Sequence, residues 1–179
     1  FGCTLRCPMF GICKDSCEFQ IDGKNQEVYQ LIEKHKQEPF RTIFDIPWVK
    51  TGCDSPIAIY PEFESLTILY SVEELAETIK NLTPNNNMDG IHLVITGGEP
   101  MLHQSFWFKL IKTLIPDNLK NVTFETNGTV KLDKDKFDLK QLDVDVLFSI
   151  SPKLSCSGNS REKAWKPDVI QSIVEGETD

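Results

Sequence analysis

The sequence predicts an α/β fold with parallel strands and crossover helices. Three observations predict it. Short apolar runs rich in β-branched residues alternate with segments of helical period. Each run ends in a loop of small and polar residues. The chain has 179 residues and 40% apolar content, enough for one domain with a buried core.

The elements follow in chain order. Residues 1–17 hold four cysteines in loop-like sequence. The stretch 18–50 departs from the alternation: one helix, "NQEVYQLIEKHKQ" (25–37), precedes "EPFRTIFDIPWVK" with its two prolines. It reads as an insertion within a single domain spanning 1–179. "SVEELAETIKNL" (71–82) starts with Ser71 and Glu74 in capping-box register and continues at helical period. "IHLVIT" (91–96) is a buried strand ending at Gly-Gly. "QSFWFKLIKTLI" (104–115) is a helix that stops before Pro116, and "NVTFET" (121–126) is the second strand. A polar connector, "LDKDKFDLKQL", leads to the third strand, "VDVLFSIS" (144–151). "PDVIQSIVEG" (167–176) reads as a helix started by Pro and stopped by Gly.

All three strands end in loops of one kind: "TGGEP", "ETNGT" and "SISPK". Parallel α/β folds gather ligands at the C-terminal strand ends, where the following loops converge, so one shared site is expected there. The net charge of -8 with scattered Lys and Arg repels phosphate backbones and anionic surfaces. A small-molecule ligand is expected, with no nucleic acid and no membrane; no apolar run approaches the roughly 18 residues of a span.

Six cysteines admit a disulfide framework. A chain of this size has no need of staples, and Cys3, Cys7 and Cys53 each sit beside Gly or Pro. Metal-bound thiolates in a reducing, cytoplasmic compartment fit better. Cys3 and Cys7 have the spacing of the first two ligands in a C-x3-C-x2-C cluster loop, but Phe10 stands where the third belongs. One alternative is local: Cys3, Cys7, Cys13 and Cys17 as a closed iron–sulfur or zinc site in a non-catalytic module.

"VITGGEP" (94–100) is the sharpest local motif. Glycines at a strand end let the backbone approach a ligand, and a carboxylate beside them suits an ammonium group. Thr-Gly-Gly-Glu-Pro downstream of Cys-x3-Cys resembles the radical S-adenosylmethionine (SAM) enzymes. With "TFETNGT" (123–129) and "SISPKLS" (149–155), the chain is similar to 7-carboxy-7-deazaguanine synthases, in particular to bacteriophage forms. The likeness runs from residue 1 to about 158.

The resemblance implies a SAM-type partial (β/α) barrel, with the insertion placed between the second and third cluster ligands. Cys53, in "VKTGCDS" (49–55), would be the third thiolate, with Cys3 and Cys7, of a [4Fe-4S] cluster. Between Cys7 and Cys53 lie 45 residues. Lengthening a loop from 2 to 45 is about 4.5 doublings at roughly 0.6 kcal/mol each, about 3 kcal/mol in all. Metal ligation worth on the order of 10 kcal/mol outweighs that. Ser55 would bind Mg2+ through its hydroxyl. Gly97, Gly98, Glu99, Pro100, Asn127, Ser151, Pro152 and Lys153 would hold SAM, and Thr96 and Glu125 the substrate, with Glu125 also the candidate catalytic group.

The implied reaction converts 6-carboxy-5,6,7,8-tetrahydropterin to 7-carboxy-7-deazaguanine through a 5′-deoxyadenosyl radical, a lyase step of queuosine and 7-deazapurine synthesis. It implies a protein electron donor such as a flavodoxin, leaves a homodimer open, and implies further strands beyond both ends of this chain. A glycyl-radical activating enzyme shares the cluster loop and Gly-Gly-Glu-Pro and is the nearest enzymatic alternative. Cys13 and Cys17 match nothing in the family pattern, and Cys156 is assigned a structural role. His35, His92 and His103 lack metal spacing, and "FWF" (106–108) and Trp48 are assigned to the core or to cover over the site.

Overall fold

In the computed structural model of the chain, the residues described are 2–5, 7, 26–49, 53, 55–154 and 157–178. The roles expected of Cys13, Cys17 and Cys156, and the middle residue of Cys53-Asp54-Ser55, lie outside them.

Three parallel strands form one open sheet in the order β1-β2-β3: β1 (His92–Ile95), β2 (Asn121–Thr126) and β3 (Asp145–Ile150). Ile95 pairs in register with Phe124, and Phe124 with Phe148. Side chains alternate along a strand, so these three share one face, and all are buried. Phe124 stacks on Phe148 and meets Phe137 edge-on at 5.3 Å between centroids. The opposite face carries Val94, Thr123 and Leu147. There Val94 is 49% and Leu147 58% exposed, so the sheet is covered on one side and open on the other.

The predicted alternation holds for the first crossover, where α3 (Gln104–Leu114) links β1 to β2. Its Leu110, Ile111 and Leu114 enter the core, and α2 (Val72–Asn81) packs against it. The connector from β2 to β3 holds only a short 3-10 turn, Leu139–Gln141. Phe137, the one aromatic of that polar segment, is fully buried beneath β2 and covers the sheet where a helix would otherwise lie.

The capping box of α2 forms as the sequence suggests. The Glu74 N–H donates to Ser71 Oγ at 3.1 Å, and the Ser71 N–H donates to Glu74 Oε2 at 2.8 Å. Ser71→Ala is expected to cost about 1 kcal/mol of stability, measured by thermal unfolding. The Ser71 backbone N–H holds the Glu74 carboxyl below its ordinary value of 4.5. A lowered folded-state pKa stabilises above the unfolded value and is lost as pH falls through the folded one. The gap in melting temperature between wild type and Glu74→Ala should therefore close in acid, below about pH 4.5.

Helix α5 (Pro167–Thr178) starts at the expected proline, following a single turn, α4 (Arg161–Ala164), but it does not stop at Gly176. A Cβ at Gly176 would stand 2.9 Å from Leu132 Cδ2, so this glycine lets the helix press on the loop after β2. It serves packing, not termination.

The described part of the 18–50 stretch contains α1 (Gln26–Gln37) and a 3-10 turn, Ile43–Asp45. Val28, Leu31 and Ile32 of α1 pack with Phe63 and Leu66 in a second, smaller core. His35 is buried there, stacking on Phe40 and accepting its N–H at Nδ1 at 2.9 Å. Phe106, Trp107 and Phe108 pack on the main core as expected. Trp48 does not: it is 90% exposed, on a proline-bearing loop that keeps it off both cores. No described helix is long and apolar enough to cross a membrane.

Candidate functional site

The loop after β1 is shaped by what packs on it. Gly97 has a φ of 121°, a conformation that side chains disfavour. Gly98 is constrained by space: a Cβ there would lie 2.1 Å from the Gly2 carbonyl oxygen and 3.0 Å from Ala58 Cβ. The same Gly2 carbonyl accepts the Glu99 N–H at 2.8 Å. The N-terminal cysteine segment is thereby fastened to the end of β1.

Glu99 extends the lock to β2. Its side chain is 1% exposed. Oε1 accepts from Thr126 Oγ1 at 2.7 Å and from the Met101 N–H at 3.1 Å, and Oε2 accepts from the Asn127 N–H at 2.9 Å. A buried carboxylate needs such partners, and here they come from within the protein. The sequence suggested that Glu99 holds a ligand ammonium; its carboxylate instead ties the strand-end loops together, and Gly97 and Gly98 present backbone to the cavity.

Asn127 is the next joint. Its Nδ2 donates to Thr4 Oγ1 at 3.1 Å and approaches Cys3 Sγ at 3.9 Å, while Oδ1 accepts from the Thr129 N–H and hydroxyl. Thr4 and Thr129 hydroxyls also meet, at 2.5 Å.

Three sulfurs from distant parts of the chain gather in this frame. Cys3, Cys7 and Cys53 pack into one small cluster with Leu5 and Ala164. All three are free thiols. Each accepts an N–H: Cys3 from Leu5 N at 3.5 Å, Cys53 from Ser55 N at 3.4 Å, and Cys7 from Asn159 Nδ2 at 3.3 Å. Sulfur is a weak acceptor as a thiol and a stronger one as a thiolate, so this donor set suits sulfurs that have exchanged their protons for a metal. Burial pushes the Cys3 thiol up, with Cys7 and Glu99 adding to the rise and the Leu5 N–H and Lys153 opposing it. Among the described residues no group of three or more His, Cys, Asp or Glu side chains is placed to hold a metal ion.

The cysteines form one wall of an open cavity of about 360 Å³, within the range of small-molecule sites. Ser55 lines it beside Cys53. From the strand ends come Thr96, Gly97 and Gly98, then Glu125 and Asn127, then Ser151 and Lys153. Thr96 donates its hydroxyl to Glu125 Oε2 at 2.9 Å on the open face of the sheet. Of the residues singled out in the sequence, Glu99, Pro100 and Pro152 are not among the lining. Both Glu99 and Pro100 are buried, where the turn into α3 needs them.

Sequence reasoning missed several lining residues. Ser149 stands in register beside Glu125 on the open face, a position that strand alternation makes legible. Leu5, Ala58 and Ile59 supply apolar wall, and Thr126 supplies a hydroxyl already engaged by Glu99. Asn159 and Ser157, behind Cys7, carry no local signal at all. Comparison with protein-family models, curated protein sequences and solved structures gives no match.

Proposed function

We propose that the chain carries the catalytic site of a radical SAM lyase of the 7-carboxy-7-deazaguanine synthase type, acting on 6-carboxy-5,6,7,8-tetrahydropterin. One observation carries the reading: a single open cavity is lined by Cys3, Cys7 and Cys53 together with the loops that end all three strands. Residues separated by more than a hundred positions meet there, and a non-catalytic thiolate knot would need none of the strand-end loops.

Cys3, Cys7 and Cys53 would hold a [4Fe-4S] cluster, Ser55 a Mg2+, and the Gly97–Gly98 backbone with Asn127, Ser151 and Lys153 the SAM. When bound, these cofactors supply reductive cleavage of SAM and, through it, hydrogen-atom abstraction from the pterin. Three protein thiolates leave one iron for SAM, whereas a fourth would close the cluster.

The chain's own part is to bind, orient and exclude water. The Glu125 carboxylate, held by Thr96, accepts N–H groups of a pterin edge, with the Ser149 hydroxyl beside it. Lys153 offers the cavity a positive charge for a ligand carboxylate. Leu5, Ala58 and Ile59 keep water from the cysteine wall. The open sheet is compatible with part of a SAM-type barrel.

Anaerobic incubation of the iron-loaded protein with SAM, Mg2+, a strong reductant and the tetrahydropterin tests the reading. It should yield 7-carboxy-7-deazaguanine. Deoxyadenosine without dependence on the pterin would point to an activating enzyme, and an iron-loaded protein that forms no deazaguanine would reject the assignment.

A further inference from the structure

We propose that Asn159 is a positioning residue for the Cys7 sulfur, and that its amide N–H raises the reduction potential of the iron–sulfur cluster that Cys7 would ligate. The inference rests on the functional reading above. Asn159 Nδ2 lies 3.3 Å from Cys7 Sγ and also donates to Ser157 Oγ at 3.0 Å. An amide nitrogen carries two hydrogens, so both are committed. Ser157 is buried and fixes the amide. The Asn159 N–H points to the same Ser157 oxygen, at 3.5 Å.

Cys7 itself is held in an unfavourable state. It is buried, and its φ of 40° is a left-handed conformation that residues with a β-carbon adopt rarely. Strain of this kind persists where the surroundings over-determine it. Cys3 and Cys53 each accept a backbone N–H from two residues onward. Among the described residues, Cys7 accepts from a side chain 152 positions away, in the loop after β3. Its placement requires the strand-end loop to dock on the cysteine segment.

Reduction adds one electron from a low-potential donor such as dithionite. No bond forms or breaks and no proton moves. The added negative charge spreads onto the sulfurs, where an aimed N–H stabilises it more than in the oxidised form. Removing the donor therefore makes reduction harder.

The test compares wild type, Asn159→Ala and Asn159→Asp, reconstituted with ferrous iron and sulfide and titrated with dithionite while the reduced signal is followed by electron paramagnetic resonance. Asn159→Ala should keep the wild-type iron content. At a fixed potential its reduced-to-oxidised ratio should fall about fivefold, roughly 40 mV for a one-electron couple. Asn159→Asp keeps the shape but turns an oxygen toward the sulfur, and should fall at least as far. It carries the measurement where the alanine variant loads poorly. Wild-type potentials in variants with wild-type iron overturn the inference and leave the functional reading standing. A wild-type protein that takes up no iron overturns both.

Discussion

Cys53→Ser should reduce the iron held after anaerobic reconstitution from about four per chain to a small fraction of that. Serine keeps the volume of the side chain and removes the soft donor that iron prefers. The Ser55 N–H, now 3.4 Å from the sulfur, can still meet an oxygen, so the unloaded variant should melt close to wild type. Deazaguanine formation should fall by more than the roughly 10–100-fold typical of losing an outer-shell partner, because a ligand itself is gone. The energetic case is one-sided: closing the long loop costs about 3 kcal/mol, while ligation returns on the order of 10. Cys13→Ser is the matched comparison and should retain its iron. Iron retained by Cys53→Ser and lost by Cys13→Ser would transfer the site to the local cysteine run and sink the proposal.

Much of this arrangement was legible in the sequence because it depends on local rules. The second strand is read to the residue at Asn121–Thr126, where β-branched residues alternate between two turn-rich loops. The start of α2 follows from Ser71 and Glu74 alone. The gathering of three strand ends follows from parallel topology, and Thr96, Glu125 and Ser151 line one cavity. What was not legible depends on contacts between distant segments. Gly176 carries the local signature of a helix stop, yet Leu132 across the fold decides its use. Glu99 has the chemistry of a ligand-binding carboxylate, but Thr126 and Asn127 claim it. Asn159 is one polar residue in a polar loop, and only the fold puts it against Cys7. In each case the deciding partner lies far along the chain, where local sequence cannot point to it.

Gly98→Ala should release the cysteine segment from the sheet. The added carbon would sit 2.1 Å from the Gly2 carbonyl oxygen and 2.9 Å from its carbon, both backbone atoms with no rotamer to yield. One of the two segments must move, and the nearest bond to break is the Glu99 N–H to Gly2 carbonyl link at 2.8 Å. Overpacking of this kind costs about 1–3 kcal/mol. The larger effect falls on the site, because Cys3 follows Gly2 directly and Asn127 grips the adjoining Thr4. Alkylation of the Cys3 thiol in the unloaded protein should speed up, and iron uptake should fall. Gly90→Ala separates this from backbone strain: Gly90 has a φ of 70° with open space around its Cβ position. It should lose about 1 kcal/mol with no change in Cys3 reactivity or iron. Should Gly98→Ala instead keep Cys3 protected and load iron like wild type, the close approach of Gly2 would have no part in shaping the cavity, and the cysteine wall would need another support.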